Sequence, residues 1–289
     1  MSAYYHHILY LPSLVFRESL ASMASANKSF GAFTPRGRTA HLKGPQVPQM
    51  LIEHLTSELS QTEPKDLKAL VELGAVYVNK ERVRNLNFPV TKNDIIRVHL
   101  EPKRYDLKRE SIQAVFENEN FVILDKPSGL PMHATLDNAV ENLAAAFSSK
   151  LFVTHRLDVP TSGLVVLAKT KNYQKIFNDL LAQRKIEKHY QALTLKSVAL
   201  GVKRHFMIVD ERAPKTILTE KEKESDSRKC DECLLEILSC DPVQFNLQTP
   251  IPTFAAGFNV KIKLMTGRTH QIRAQLAALG SPLVGDEMY

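Results

Sequence analysis

Residues 155–163 bring together side chains that could do chemistry. Asp158 supplies a carboxylate, and Arg156 lies two positions before it. A proline, two hydroxyl groups and a glycine follow, and then an apolar run over residues 164–168, which is typical of a loop that leads into a buried strand. A carboxylate beside a guanidinium can act as a nucleophile or stabilise a developing cation. The same residues would also fit a surface ion pair next to a turn, so composition alone leaves both interpretations open.

Two later stretches carry polar groups that could complete such a site. Tyr190 lies in the run KHYQA, residues 188–192, whose alternation predicts a strand. A buried tyrosine in a strand is usually part of the core. Residues 266–273 read TGRTHQIR and are followed by a helical pattern. We predict that Thr269 caps this helix, so that the backbone donors of its first turn face the loop.

The three stretches resemble the motifs of the RluA-type pseudouridine synthases. The run HRLDVPTSG resembles the signature loop of that family, KHYQA its second motif, and TGRTHQIR its third, which continues here as ALGSPLVGDEMY. The run LDKPSGLPMHA, residues 124–134, resembles a loop that lies beside the active site in the same family. The resemblance implies an α+β fold, with a mixed, largely antiparallel sheet flanked by helices and an active site in a central cleft.

The resemblance also implies roles for individual side chains. Asp158 would be the nucleophile, Tyr190 would stack on the base and relay a proton, and Arg273 would form a salt bridge with Asp158. Arg268 is the second choice for that salt bridge. Arg156 would enter the RNA stack in the space that the target base leaves. The residues expected to contact RNA are Arg156, His155, Lys126, Arg268 and His270.

Turning uridine into pseudouridine requires breaking a glycosidic bond, rotating the base and forming a carbon–carbon bond. It needs no redox change and no external energy, and we expect neither a cofactor nor a metal. One alternative is an RNA-binding protein without turnover, because the family's catalytic domain usually continues beyond the run GDEMY and this chain stops at Tyr289. A glycosidase or hydrolase that uses Asp158 is less favoured, because the motifs pair no second carboxylate with it.

The charge balance of the chain fits a polyanionic partner. Its 289 residues include 38 Lys and Arg against 31 Asp and Glu, a net charge of +7, which favours RNA without requiring it. Cys230 and Cys233 have the spacing of half a zinc site or of a redox pair, but no second pair completes either. No apolar run approaches the ~18 residues of a membrane span. We expect a monomer that acts on rRNA or tRNA and has no membrane partner.

The chain is predicted to have three segments. Residues 1–48 are rich in Ser and Ala and contain Glu18 as their only acid. They are typical of a transit segment for a chloroplast or mitochondrion, or of a basic tail that helps to hold RNA, with the cytoplasm as the alternative location. Residues 49–101 resemble the small αL RNA-binding module, two helices and a hairpin. Residues 110–289 would form a catalytic domain that is shortened at its carboxyl end, in which residues 210–256 have no assigned role.

Hydrophobic periodicity predicts the elements that would position these motifs. Residues 121–124 and 261–265 are predicted as strands, and residues 170–181 as a helix with one apolar face. In the small module, apolar residues at helical spacing predict two helices, the second of which ends at Gly74. We further predict a short helix over residues 138–149 and a solvated loop over residues 219–231.

Overall fold

The computed structural model describes residues 5–10, 37–105, 107, 112–147, 151–210, 213–247 and 253–289, without the side chains of residues 5–10, 246–247 and 253–254. The chain divides into two compact units. The first comprises Met1–Phe33, Glu110–Gly129 and Lys150–Tyr289, and the second comprises Thr34–Arg109 and Leu130–Ser149. The second unit therefore begins before the predicted boundary at residue 49. It also includes residues 130–149, which the sequence places in the catalytic domain.

The helices and strands are numbered along the chain. The strands are β1 (Tyr5–Tyr10), β2 (Thr39–Lys43), β3 (Gln49–Met50), β4 (Val76–Val78), β5 (Glu81–Val83), β6 (Pro89–Val90), β7 (Ile95–His99), β8 (Gln113–Glu117), β9 (Phe121–Lys126), β10 (Phe152–Val153), β11 (Ser162–Ala168), β12 (Glu187–Thr194), β13 (Gly201–Ile208), β14 (Ile217–Leu218), β15 (Cys230–Leu247) and β16 (Thr253–Leu264). The helices are α1 (Leu51–Glu58), α2 (Pro64–Leu73), α3 (Lys171–Ala182), α4 (Glu220–Ser225) and α5 (Gln271–Ala278). No helix of the described residues is both long and apolar enough to cross a membrane.

The first unit is built on one large sheet. Its strand order is β14-β13-β15-β16-β12-β1-β11-β9-β8, and β10 pairs with β11. Every neighbouring pair is antiparallel except β1 and β11, which are parallel. This arrangement confirms the predicted α+β fold with a mixed, largely antiparallel sheet. The predicted strands at residues 121–124, 188–193 and 261–265 fall in β9, β12 and β16, and the predicted helix at residues 170–181 is α3.

The strand that follows the Asp158 loop, β11, is held against β9 by apolar burial. Leu124 of β9 and Val165 of β11 are fully buried and lie opposite each other in the antiparallel register. The same register pairs Lys126 with Gly163, directly beyond the loop. Burial of these side chains contributes roughly 1.5–3 kcal/mol each. The loop at residues 155–161 is thus fixed at its carboxyl end by the core of the sheet.

Helix α5 carries the third motif and packs its apolar face on β12, β15 and β16. Ile272 and Leu276 are buried in one cluster with residues of these strands. Two buried glutamines add directed contacts. Gln271 Nε2 donates to the carbonyl oxygen of Leu234 at 3.1 Å, and Gln275 Nε2 donates to that of Cys233 at 3.3 Å. These two bonds therefore restrain both the distance of α5 from β15 and the rotation of α5 about its own axis.

Strand β1 lies inside the segment that the sequence treats as a tail or transit segment. It pairs in parallel with β11 and antiparallel with β12, so that it joins the strand after the Asp158 loop to the strand of Tyr190. Residues 11–36 lie outside the described residues. Residues 39–43 form β2, which pairs with β7 of the second unit.

The segment without an assigned role forms a long antiparallel hairpin. Strands β15 and β16 contain 18 and 12 residues, and a bulge lies between Ile237 and Ser239. The prediction of a solvated loop over residues 219–231 is wrong in part, because α4 occupies residues 220–225. Thr219 and Glu222 form a capping box that satisfies the first backbone donors of α4.

The second unit consists of α1, α2 and the strands β2 to β7. Its core is formed by apolar residues of both helices and of β4, β5, β6 and β7. Gly74 ends α2 in the left-handed region with φ of 80°, as predicted, since a side chain at this φ would be strained. The tight turn between β4 and β5 places Asn79 and Lys80 at positive φ. Two helices followed by a hairpin were expected here, and both are present.

The predicted helix over residues 138–149 is wrong within the described residues. Only Ala144–Ala146 form a single turn of 3-10 helix. The buried Asn138 explains the departure, because its side-chain oxygen accepts from the backbone N–H groups of Val140 and Glu141. Asparagine competes in this way with helical backbone bonding.

Candidate active site

The Asp158 loop is tied to the turn that follows β9. The backbone N–H of Gly129 donates to the carbonyl oxygen of Val159 at 2.8 Å, and Ser128 Oγ donates to that of Pro160 at 2.7 Å. Gly129 has φ of 86°, which a residue with a side chain rarely adopts. These bonds flank Asp158 on its carboxyl side. The run DKPSG therefore determines where the Asp158 carboxylate lies.

Lys126 belongs to the same anchor. Its side chain is fully buried, and its Nζ donates to the carbonyl oxygens of Pro127 at 2.9 Å and Val159 at 3.3 Å. Burial lowers the pKa of Lys126 to about 7, against the opposing charges of Asp158 and Asp125. The sequence predicted a phosphate contact for this residue. A lysine without exposed surface cannot provide one, so the structure corrects its role to holding the Asp158 loop.

Replacing Lys126 by Met should change how stability depends on pH. The pKa of Lys126 falls from 10.5, its ordinary value and the one expected in the unfolded chain, to about 7 in the folded chain. Between these two pH values the unfolded chain binds more protons, so the free energy of unfolding gains up to about 1.4 kcal/mol per pH unit from this residue as the pH rises. Urea denaturation at pH 7 and pH 9 should show this gain in the wild type and not in Lys126→Met.

The exposed Lys171 at the start of α3 supplies the matched control, because Lys171→Met should keep the wild-type pH dependence. Equal pH dependence in the wild type and Lys126→Met would show that Lys126 keeps an ordinary pKa in the folded chain.

His155 is also directed inward. Its Nε2 accepts a hydrogen bond from the backbone N–H of Val166 at 3.1 Å, and its ring stacks on Phe177 with centroids 5.9 Å apart. Burial, together with the charge of Lys188, lowers the pKa of His155 to about 4. The imidazole is therefore neutral at physiological pH. The RNA contact predicted for His155 stays a prediction, and a neutral ring would have to make it.

Arg273 lies between two carboxylates. Its Nη1 is 3.6 Å from Asp158 Oδ2, whereas Nε and Nη2 donate to the two oxygens of Asp286 at 2.7 and 2.8 Å. Arg273 and Arg268 were the first and second choices for the cation at Asp158, and the structure places Arg273 there. The bidentate bond goes to Asp286, so the oxygens of Asp158 keep lone pairs that could attack.

Asp286 is a functional candidate that the sequence reasoning did not single out. Its side chain is only 1% exposed. Burial alone would raise the pKa of Asp286, but the hydrogen bonds and charge of Arg273 outweigh it and hold the pKa below its ordinary value. The sequence did offer a sign of it, because Asp286 lies in the run GDEMY, which resembles the family.

His270 faces Asp158 from the other side. Its Nε2 lies 4.0 Å from Asp158 Oδ2, and its Nδ1 lies 3.2 Å from the hydroxyl of Tyr289. That hydroxyl accepts the backbone N–H of Lys215 at 2.7 Å, so its own hydrogen is available for Nδ1. This favours the tautomer with a proton on Nε2, directed at Asp158. Burial lowers the pKa of His270, with Asp158 opposing and Arg273 reinforcing the shift.

The start of α5 differs from the prediction. His270, not Thr269, is the N-cap residue, and it has φ of 60° and no side-chain capping bond. Gln271 fastens the loop before the helix, because its Oε1 accepts from the backbone N–H of Arg268 at 3.0 Å and from the hydroxyl of Thr266 at 2.9 Å. His270 has this left-handed conformation and its ring lies near Asp158, and its predicted RNA contact stays a prediction.

The remaining predicted residues fall into two groups. Tyr190 is half-buried, and its pKa is raised by burial and by the negative charge of Asp158, which puts both groups within one electrostatic environment. Arg156 is exposed, and no side chain in the described ranges pairs with it. Arg268 forms an exposed ion pair with Asp231 at 3.1 Å. The structure thus places Arg273 beside Asp158, lets the charge of Asp158 act on Tyr190, and leaves the other two arginines at the surface.

The three cysteines are free thiols. Cys233 is fully buried, and burial raises the pKa of its thiol to about 12. Among the residues that the structure describes, no group of three His, Cys, Asp or Glu side chains could hold a metal ion.

A family profile described as RNA pseudouridylate synthase matches residues 120–278, which is more than half of the chain and includes Asp158, Tyr190 and Arg273. The chain belongs to the RNA pseudouridylate synthase family. An S4 domain profile matches residues 67–96 of the second unit. Both parts of the predicted family assignment, the synthase and the small αL module, are thereby confirmed.

Several curated relatives are similar over most of the chain. RNA pseudouridine synthase 6, chloroplastic, is 34% identical in Oryza sativa subsp. japonica over 72% of this chain and 46% of that protein. The protein of the same name in Arabidopsis thaliana is 34% identical over 72% of this chain and 47% of that protein. The tRNA pseudouridine(32) synthase, mitochondrial, of Saccharomyces cerevisiae is 28% identical over 83% of this chain and 50% of that protein. The chain therefore spans about half the length of these relatives.

Proposed function

We propose that this chain isomerises uridines in RNA to pseudouridine, with Asp158 as the nucleophile. The observation that carries the proposal is the convergence of the motifs, because Asp158 lies 3.6 Å from Arg273 and its charge raises the pKa of Tyr190 in a member of this family. The carboxylate that shares Arg273 with Asp158, that of Asp286, is bound on both oxygens by this arginine.

The side chains around Asp158 suit a reaction that passes through a cation-like sugar. The carboxylate of Asp158 would attack the target nucleotide while Arg273 Nη1 and the proposed N–H of His270 hold its charge in position. Neither contact is short, so neither removes the lone pairs that the attack needs. Lys126 keeps the loop in place through Val159, the residue after Asp158. The chain's own groups thus orient a nucleophile without neutralising it.

Tyr190 would act on the base after it has rotated. Its phenol is protonated at neutral pH, because burial and the charge of Asp158 raise its pKa. A protonated phenol can take up a proton only while it passes another on, so we assign Tyr190 a relay and stacking role. The exposed Arg156 would enter the space left by the extruded base, which offsets part of an unstacking cost of a few kcal/mol.

The second unit would supply further RNA contacts through its exposed lysines. Lys68 and Lys80 are exposed, whereas Arg82 is bound to the hydroxyl of Tyr77 and to the carbonyl oxygen of Leu136. Replacing Lys68 and Lys80 together by Gln should therefore weaken RNA binding and lower its dependence on salt concentration, with little effect on the chemical step. Filter-binding titrations at several salt concentrations, with single-turnover rates beside them, would measure both. An unchanged salt dependence would count against this surface.

Relatives named as chloroplastic and mitochondrial enzymes support a location in an organelle, either a chloroplast or a mitochondrion. A fusion of the full chain to a fluorescent protein, imaged with organelle markers, tests this location. A signal spread through the cytoplasm would contradict it.

Incubation of purified protein with cellular RNA tests the proposed function directly. Digestion to nucleosides followed by chromatography and mass spectrometry should show new pseudouridine, and mapping of the intact RNA should place it at defined positions. RNA that binds the protein and gains no pseudouridine would replace the proposal with binding alone.

A further inference from the structure

Lys188 is a half-buried cation beside the proposed site that the mechanism does not use. It lies two residues before Tyr190 on β12, so both side chains point to the same face of the sheet. That face packs against α5, since Tyr190 and Ala192 belong to the cluster that contains Ile272. Burial lowers the pKa of Lys188, and no carboxylate acts against the shift.

Among the residues that the structure describes, no hydrogen bond or ion pair engages the ammonium of Lys188. The opposite face of the same strand is different. There Glu187 forms an ion pair with Lys263 and a hydrogen bond of 3.2 Å with His189. On one face of β12, Glu187 and Lys263 therefore neutralise each other. On the face towards α5, Lys188 is partly buried, and burial disfavours its charged form.

The space around Lys188 is shaped by the loop before α5. A side chain at Gly267 would bring its Cβ within 3.0 Å of Lys188 Nζ, so the glycine leaves room at the ammonium. Gly267 itself is exposed, which opens this space to solvent. The positive charge of Lys188 also lowers the pKa of His155, which lies at the start of the Asp158 loop. The ammonium therefore lies between two of the motif loops.

We propose that Lys188 binds a phosphodiester oxygen of the RNA strand at the target nucleotide. The proposal rests on the proposed function, because the RNA strand must pass close to the loop of Gly267, beside Lys188, to place a nucleotide at Asp158. A phosphate would supply the negative charge that the protein does not, and a lysine ammonium suits a phosphate as a point charge. Arg156 and Lys188 then have separate tasks, one in the base stack and one on the backbone.

The test measures RNA binding in the Asp158→Asn background, where turnover does not interfere. The probe is a short stem-loop RNA with unpaired uridines, titrated at several salt concentrations. Lys188→Met should weaken binding roughly tenfold. It should also reduce the slope of log affinity against log salt by about 0.7 to 0.9, the value for one phosphate contact. Lys188→Arg should keep most of the slope, because the charge remains.

Lys263→Met is the matched control, since it removes the same charge from the opposite face of the neighbouring strand, and its slope should equal that of the background. The melting temperature of the free protein gives an independent readout. Removing an unmatched buried charge should leave Lys188→Met as stable as the background or more stable. A lower melting temperature with an unchanged slope would show that Lys188 supports the fold, and the phosphate contact would be refuted.

Failure of this inference can be separated from failure of the proposed function. If wild-type protein forms pseudouridine and Lys188→Met leaves the salt slope unchanged, the phosphate contact is wrong and the function stands. If the slope falls and the wild type forms no pseudouridine, the contact stands and the function is wrong.

Discussion

Asp158→Asn is expected to abolish pseudouridine formation, with a loss on the order of 10⁴-fold or more in the single-turnover rate. Asparagine has nearly the same shape as aspartate but no charge, and its amide oxygen is a poor nucleophile. The loop should keep its position, because its anchors are backbone groups of Val159 and Pro160 bound from Ser128 and Gly129. The measurement is pseudouridine formed per bound RNA at saturating protein.

RNA affinity separates a chemical loss from a loss of structure. It should change by less than about threefold in Asp158→Asn, because the surface cations and the loop remain. Asp179→Asn on the exposed face of α3 is the matched control and should turn over at the wild-type rate. Turnover by Asp158→Asn that is comparable to the wild type would remove Asp158 as the nucleophile, and equal losses in affinity and rate would indicate a displaced loop.

The strands and helices that surround the site could be predicted because local patterns determine them. The alternation in residues 188–193 and the apolar run in residues 121–124 each fit a single secondary structure, and both strands are found. The prediction fails where a side chain forms a hydrogen bond with nearby backbone in place of the bond that the sequence pattern predicts. Asn138 replaces helical bonds after residue 138, and His270 rather than Thr269 is the N-cap residue of α5.

The partners within the site could not be predicted in the same way, because they depend on contacts between distant parts of the chain. Lys126 resembles an exposed phosphate ligand in sequence, yet its pairing register with Gly163 buries it under the Asp158 loop. Arg273 Nη1 lies 3.6 Å from Asp158 Oδ2, but the bidentate partner of Arg273 is Asp286, thirteen residues later. The sequence shows that Arg273 and two carboxylates are present, and the fold shows that Arg273 forms its bidentate bond with Asp286 and not with Asp158.

Replacing Arg273 by Met should have the largest effect on stability of any change at the site. It would leave the carboxylate of Asp286, whose side chain is 1% exposed, without its cation. Loss of one partner of such a buried pair costs about 3–5 kcal/mol. In the wild type the lowered pKa of Asp286 means that its stabilisation is present at neutral pH and lost as the pH falls. The difference in unfolding free energy between wild type and Arg273→Met should therefore narrow in acid, as urea denaturation can measure.

A second variant separates the two tasks of Arg273. In Arg273→Met with Asp286→Asn, the buried charge is gone and the amide oxygen can still accept from the backbone N–H of Met288. Most of the lost stability should return, because the stranded carboxylate was its main cause. Activity should stay about 10²–10³-fold below the wild type, since Asp158 still lacks the cation opposite it. Recovery of both activity and stability would mean that Arg273 serves only to neutralise the buried Asp286. Asp158 would then rely on another group, and His270, whose Nε2 lies 4.0 Å from Asp158 Oδ2, is a described candidate.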